Sequence, residues 1–214
     1  MACATTKKEP ITPEILSTLV SRFGQKDAPL SDIPTLSVCL LGFAGFFHFN
    51  EMDKICESDI VVYEKHMEIF IESSKTDKLR DDAWVVIVRT GMPLYPVAML
   101  ECFMHMANMT GAHDKHLFRA IVSTKNGQKL RDSGSVSYTR IRELVLEKLS
   151  AIGLDPKRFG LHSLCSGGAS AAANAGVLDR MFKRHGRWRS ENAKDGYVKD
   201  SLKERLPVSQ NLGL

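Results

Sequence analysis

The sequence predicts an α+β domain that is mostly α-helical and contains one small antiparallel β-sheet. Helix-like spacing of apolar residues dominates up to residue 47 and again from residue 96 onwards. Between these parts lie two short runs rich in β-branched residues, each bounded by polar turns, which is typical of β-strands. The 214 residues are enough for one sizeable domain with its own core.

Two helices are expected before residue 48. The first begins at Thr12, has Pro13 at its first helical position and ends at Gly24. The second covers residues 36–47 and is apolar on nearly every side, so it should lie inside the core. The segment 1–11 is polar and without periodicity, and we expect a flexible lead there, with the folded domain covering residues 12–214.

The strands are expected between residues 59 and 90. The runs DIVVYEKHMEIFIES and AWVVIVRT supply the β-branched residues. A turn that carries Lys75, Asp77 and Lys78 joins them. We therefore predict a small antiparallel sheet with an exposed lysine-bearing turn.

Helices resume at Pro96 with the run PVAMLECFMHMAN. A loop region rich in glycine, serine and aspartate follows, and then SYTRIRELVLEKLSAIG predicts an amphipathic helix that ends at Gly153. Shorter helices are expected at about residues 162–175, 178–185, 191–197 and 200–206.

Composition excludes several classes of protein. Hydrophobic residues at 43% and charged residues at 25% are ordinary globular values, which argues against a fibrous or disordered chain. The longest apolar run is too short to span a bilayer, and the sequence begins with no secretory signal. The five cysteines form no C-x-x-C pair, which indicates reduced thiols and an intracellular protein, nuclear if the source is eukaryotic.

Positive charge is concentrated in the segment KRHGRWRS. The formal net charge of +4 permits an anionic partner without requiring one, so the distribution matters more than the total. Four basic residues surround Trp188 in this segment, namely Lys183, Arg184, Arg187 and Arg189. Basic residues interleaved with an aromatic one make this a candidate DNA-binding segment.

The segment GLHSLCSGGASAAANAG places His162 and Cys165 three residues apart at the start of a helix. One interpretation is a buried cysteine beside a helix-start histidine. A cysteine nucleophile would need a third, orienting group, and a metal site would need further ligands at suitable spacing. Since the sequence nearby offers neither, we expect no metal and no cofactor.

Several residues that are unremarkable alone stand in a specific order. Lys75 alone would be a solvated lysine, Trp188 a packing residue and Tyr197 a half-buried tyrosine. The full series is His48 and Glu51 in HFNE, Lys75, His162 and Cys165 in HSLC, Trp188 in GRW, and Tyr197 nine residues further on.

This series resembles the catalytic domain of the tyrosine recombinases, the phage-integrase family. Their pattern is Arg-x-x-Glu, a β-hairpin lysine, His-x-x-Arg, a histidine or tryptophan after a glycine, and a tyrosine nine residues later. The resemblance covers the chain from Thr12 onwards. The runs LLGFAGFF, SSKTD and HGRWRSENAKDGY are most similar to recombinases of eukaryotic mobile elements. His48 and Cys165 occupy the positions of the two family arginines.

The resemblance implies a role for each residue of the series. Tyr197 would attack a DNA phosphodiester, leaving a phosphotyrosyl link and a free 5′ hydroxyl. Lys75, with Lys78 as its rival, would protonate the leaving oxygen. His162 and Trp188 would bind the phosphate, and His162 would also move protons. The implied partner is double-stranded DNA, on which copies of the chain can associate.

The two substituted arginine positions predict weak or absent strand cleavage. An arginine grips two non-bridging oxygens with parallel donors, whereas histidine is only partly charged and cysteine carries no positive charge. Losing one transition-state donor typically costs roughly 10²- to 10³-fold in rate. Both a decayed mobile-element copy and a domesticated protein that binds DNA without cutting it fit this pattern.

Two alternatives to a recombinase remain. One is a noncatalytic DNA-binding or protein-interaction module that reuses the scaffold. The other, ranked last, is a hydrolase or metal protein that depends on Cys165. The residues before His48 leave no room for the upstream DNA-gripping domain of relatives, so DNA affinity is expected to be modest.

Overall fold

The computed structural model describes residues 8–25, 27–72, 84–91, 95–125, 127–188 and 190–200, apart from the side chains of Glu191 and Ala193. The architecture is mostly helical with small antiparallel sheets, as the sequence predicts. The turn with Lys75 and Lys78 lies outside the described residues, and so does Arg189. Of the helix expected at about residues 200–206, only residue 200 is described.

Helices are the main regular secondary structure of the described residues. In chain order they are α1 (Pro13–Phe23), α2 (Ile33–Ala44), α3 (Phe49–Met52), α4 (Pro96–Met106), α5 (Tyr138–Ala151), α6 (His162–Asn174), α7 (Asp179–Gly186) and α8 (Glu191–Asp195). None of these helices is long and apolar enough to cross a membrane. Every helix expected within the described residues is present, with small shifts at its ends.

Helices α1 and α2 show how local sequence sets the ends. Thr12 caps α1 because its hydroxyl accepts a hydrogen bond from the backbone N–H of Ile15 at 3.4 Å. Helix α2 begins three residues before the predicted start, because Pro34 is compatible with the first turn of a helix. Nearly all of α2 is buried, as predicted, and it packs against α1, α4 and α6.

The described residues form two antiparallel sheets. The first has the order β1-β2-β3, formed by Ile60–Val62, His66–Phe70 and Trp84–Val88. The second is a hairpin of β4 (Ile121–Thr124) and β5 (Gly127–Leu130), in a region predicted as loop. The prediction failed there because each strand is only four residues long and neither alternates apolar with polar residues, so the period-two signal is weak.

Part of the predicted flexible lead is ordered. The backbone N–H of Glu9 donates to the Arg158 carbonyl, and that of Ile11 donates to the Ser163 carbonyl, each at 2.8 Å. Ile11 is only 1% exposed. The expectation of a loose lead is therefore wrong for residues 9–11, because these backbone bonds and the burial of Ile11 fix them against the start of α6.

A second, smaller apolar cluster lies apart from the main core. Its buried members are Phe46, Cys165, Ala169 and Phe182. Trp188, Tyr197 and Val198 pack against it. The cluster joins the end of α2 to α6 and α7, and it thereby supports the residues that the sequence analysis selected.

Candidate active site

The structure brings four separate segments of the chain together. His48 precedes α3, His162 begins α6, Trp188 follows α7 and Tyr197 follows α8. The Tyr197 ring centre lies 4.7 Å from that of His162 and 5.4 Å from that of His48. The two histidine ring centres are 5.6 Å apart. Residues distant in sequence thus form one compact group.

Cys165 lies at the inner wall of this group, one helical turn after His162. Cys165 is 1% exposed, and its Sγ is 3.8 Å from Nδ1 of His162. Burial, together with a smaller contribution from the nearby Glu51 carboxylate, raises the pKa of the Cys165 thiol to about 12. The protonated thiol favours the buried-cysteine interpretation over a reactive thiolate.

Tyr197 is half-buried and held from two sides. Its ring stacks on Trp188 with ring centres 5.4 Å apart, and Trp188 stacks in turn on Phe46 at 5.8 Å. The Ser170 hydroxyl donates to the Tyr197 carbonyl at 3.4 Å and accepts from the Lys199 N–H at 2.8 Å. Burial raises the pKa of the Tyr197 phenol, with smaller contributions from Cys165 and Glu51. The phenol is therefore protonated at neutral pH.

An open pocket of about 220 Å³ adjoins the two histidines. Its lining residues are His48, Phe49, Asn50, Tyr138, Leu161 and His162. Imidazole and amide groups on this wall can donate hydrogen bonds to an anionic oxygen. The pocket therefore offers space beside the histidines for a small polar group such as a phosphate.

Arg187 has a different place from the one that the sequence predicts. Its Nε donates to Oε1 of Glu51 at 2.7 Å and one terminal nitrogen donates to Oε2 at 3.0 Å. It also donates to the carbonyls of Gly45, Phe46 and His185. The Arg187 side chain is only 13% exposed. Arg187 thus joins the end of α7 to α3 inside the protein instead of facing outward as a phosphate contact.

Glu51 completes this internal connection. Its carboxylate also accepts a hydrogen bond from the backbone N–H of His48 at 2.7 Å. The acidic residue of the family motif therefore fixes the backbone at His48 and the guanidinium of Arg187 at once. Arg187 adopts a left-handed conformation with φ of 56°, which lets the chain turn from α7 towards Trp188.

Replacing Arg187 with alanine is expected to lower the free energy of unfolding by about 3 kcal/mol, because the change leaves the partly buried Glu51 carboxylate without its ionic partner. Urea unfolding followed by circular dichroism measures this loss. Arg180→Ala removes an exposed arginine from the same helix and should change stability by less than about 0.5 kcal/mol. Equal effects of the two changes would contradict a structural role for the Arg187–Glu51 pair.

His185 and Phe46 support the site although the sequence analysis did not select them. His185 Nε2–H donates to the Ala44 carbonyl at 2.7 Å, and its ring packs edge-on against Phe46 at 4.7 Å. Burial lowers the pKa of His185, so its neutral form is favoured. The three-residue spacing from buried Phe182 was a signal that His185 shares the inner face of α7.

Two of the predicted DNA-binding residues lie on α7 within the described chain. Lys183 pairs with Asp179 on the same helix at 3.1 Å, and Arg184 is exposed. Arg189 and Lys75 lie outside the described residues. Lys183 and Arg184 are therefore the residues of the basic segment whose role in DNA binding can be tested by mutations at described positions.

Comparison with characterised proteins gives a consistent result. No family model matches the chain. An integrase/recombinase XerD homologue from Selenomonas ruminantium is 27% identical over 191 residues, which are 89% of this chain and 54% of that protein. The chain thus spans about half the length of this curated relative.

Solved structures of recombinases share the fold. The XerH recombinase in a post-cleavage complex with its difH substrate has a TM-score of 0.70 at 13% identity, covering 99% of this chain and 55% of that one. The XerA recombinase gives 0.66 at 12% identity, covering 100% and 67%. The Tn1549 transposon integrase with transposon right end DNA gives 0.63 at 12% identity, covering 100% and 69%. The chain therefore has the catalytic-domain fold of these recombinases and integrases, and its sequence is similar to that of the XerD homologue.

Proposed function

We propose that this chain binds double-stranded DNA and acts in DNA recombination or integration, with Tyr197 as its nucleophile. The observation that carries the proposal is the convergence of Tyr197, His162 and Trp188 on a recombinase fold. The XerH and Tn1549 proteins are bound to DNA in their solved structures, which supports DNA as the partner. We propose an intracellular location, the nucleus if the source is eukaryotic.

The proposed reaction begins at the Tyr197 hydroxyl. The Oη atom attacks a backbone phosphorus, the new Oη–P bond forms, and the bond from phosphorus to the 5′ oxygen breaks. The phenol is protonated at neutral pH, so its proton must leave as the bond forms. His162 has its ring centre 4.7 Å from that of Tyr197 and is the base that we propose. Lys75 gives the leaving oxygen its proton.

We propose that binding of the phosphate oxygens is impaired in this chain. Charge in phosphoryl transfer is spread over the non-bridging oxygens, which guanidinium groups can bind with paired donors. His48 cannot form such a pair of parallel bonds, and the Cys165 thiol is buried and uncharged. We therefore propose that cleavage by the unaltered chain is weak or absent, in a protein that stems from a mobile element.

The second candidate is a noncatalytic module that binds DNA or protein with the same scaffold. Substitution of both arginine positions favours it. A covalent DNA adduct that disappears in Tyr197→Phe distinguishes the enzyme from the module. If no Tyr197-dependent adduct forms even after the double substitution His48→Arg with Cys165→Arg, the module describes the chain better.

DNA binding is expected to weaken steeply with salt, because basic side chains displace counterions from the phosphates. Arg184→Ala should reduce the slope of log K against log salt by about one unit, since each phosphate contact contributes about 0.9. Fluorescence anisotropy of a labelled duplex at several salt concentrations measures the slope.

Two control variants belong to this experiment. Lys157→Ala removes one exposed positive charge outside α7 and should leave the slope unchanged. A charge-neutral variant of Arg187 should also leave it unchanged, because that guanidinium binds Glu51. Absence of DNA binding at low salt, or an affinity that does not vary with salt, would contradict the proposed partner.

A further inference from the structure

Three side chains that commonly bind metal ions converge in the candidate active site. They are His48, His162 and Cys165, and among the described residues they are the group whose ligand atoms could hold a metal. These atoms all lie within 4.8 Å of one another. In the sequence only His162 and Cys165 are neighbours, because His48 is far away in the chain. The fold supplies the third ligand.

We propose that His48, His162 and Cys165 bind a zinc ion. Two imidazoles and one thiolate form a donor set that zinc prefers, and three protein ligands leave a fourth position open. The same set disfavours Mg²⁺ and Ca²⁺, which bind through oxygen atoms. The proposal goes beyond the proposed function and does not depend on DNA binding, and His162 acts as the proposed base only in the metal-free chain.

The geometry is close to what zinc requires. Bond lengths of about 2.0 Å to nitrogen and 2.3 Å to sulfur put tetrahedral ligand atoms about 3.3–3.6 Å apart. The distance of 3.8 Å from Cys165 Sγ to His162 Nδ1 nearly meets this already. The other ligand atoms are at most 4.8 Å apart. Side-chain rotations that shift them by about 1 Å would bring them to the separation that zinc requires.

Access and proton balance are compatible with binding. Cys165 is buried, His48 is half-buried and His162 is exposed, so an ion enters from the His162 side. When the zinc–sulfur bond forms, the thiol gives its proton to solvent, and each imidazole binds through a neutral nitrogen. The ring of Tyr197 lies against both histidines, so the fourth position is next to the proposed nucleophile.

The ion would also supply positive charge. A zinc ion with one thiolate carries a net charge of +1, while Glu51 nearby is already paired with Arg187. This charge would stand where the resemblance puts the two arginines. The substitutions that remove two guanidinium groups thus leave behind residues that can hold a cation in their place.

Cobalt titration of chelator-treated protein tests the site. Co²⁺ is the probe because it reports thiolate ligation by a charge-transfer band and four-coordination by intense visible bands. We expect one Co²⁺ per chain, displaced by one equivalent of Zn²⁺. Cys165→Ser should abolish the charge-transfer band. Both Cys165→Ser and His48→Ala remove a ligand, so each should weaken Zn²⁺ binding by more than the roughly 10- to 100-fold that loss of an outer-shell partner costs.

Helix α4 provides a matched control. Cys102 and His105 have the same three-residue spacing and are both exposed, but among the described residues they belong to no group of three ligands. Cys102→Ser and His105→Ala should therefore leave the cobalt spectrum unchanged, and circular dichroism confirms the fold of every variant. A chain that shows no charge-transfer band, or a band that survives Cys165→Ser, overturns the proposal. DNA binding measured in chelator is a separate result that neither outcome alters.

Discussion

The double substitution His48→Arg with Cys165→Arg is expected to raise DNA strand cleavage at least about 100-fold over that of the unaltered chain. Tyr197, His162 and Trp188 already lie together, so the site lacks chiefly the groups that bind the phosphate oxygens. The Glu51 carboxylate acts electrostatically on Cys165, so it would favour a positive charge at that position. Relaxation of a supercoiled plasmid and trapping of phosphotyrosyl DNA measure the gain.

Three variants make this experiment specific. Each single replacement should recover much less, because residues that bind one phosphate act as a unit. Tyr197→Phe in the double variant should abolish the adduct. The assay contains a chelator, so that a zinc ion in the unaltered chain does not contribute. Equal adduct formation by the unaltered and the double variant would show that His48 and Cys165 are not disabling.

Sequence patterns were sufficient where a signal is local. Thr12 and Pro13 mark the start of α1, and the apolar run of α2 predicts its burial. The resemblance to the recombinase motif also implies that its residues come together in the fold, namely His48, His162, Trp188 and Tyr197. Their ring contacts agree with that expectation.

Other features depend on contacts that no local pattern encodes. Arg187 looked like a DNA-binding residue because its neighbours are basic, but its guanidinium binds Glu51 from a distant segment. The pairing of β4 with β5 depends on short strands with a weak period. Likewise, the sequence ranks the metal alternative last because only the fold brings His48 close to His162 and Cys165.

Replacing Gly168 with alanine is expected to destabilise the domain by about 3 kcal/mol or more. A Cβ atom at Gly168 would clash with the Phe43 carbonyl oxygen, so α6 and the end of α2 would have to move apart. The new methyl group would also lie 2.9 Å from the Phe46 ring. Since α6 carries His162 and Cys165 and Phe46 supports Trp188, the change should disturb the site together with stability. Urea unfolding measures the first effect and cobalt binding the second.

Gly160→Ala is the matched control for this prediction. Gly160 precedes α6 by two residues, and a Cβ atom there meets nothing within 4 Å. Its replacement should therefore change the free energy of unfolding by less than about 0.5 kcal/mol and leave cobalt binding intact. If Gly168→Ala were as stable as Gly160→Ala, the contact between α6 and the end of α2 would not require a glycine at residue 168. The unusual run of small residues in SGGASAAA would then need another explanation than the packing of the helix that carries the site.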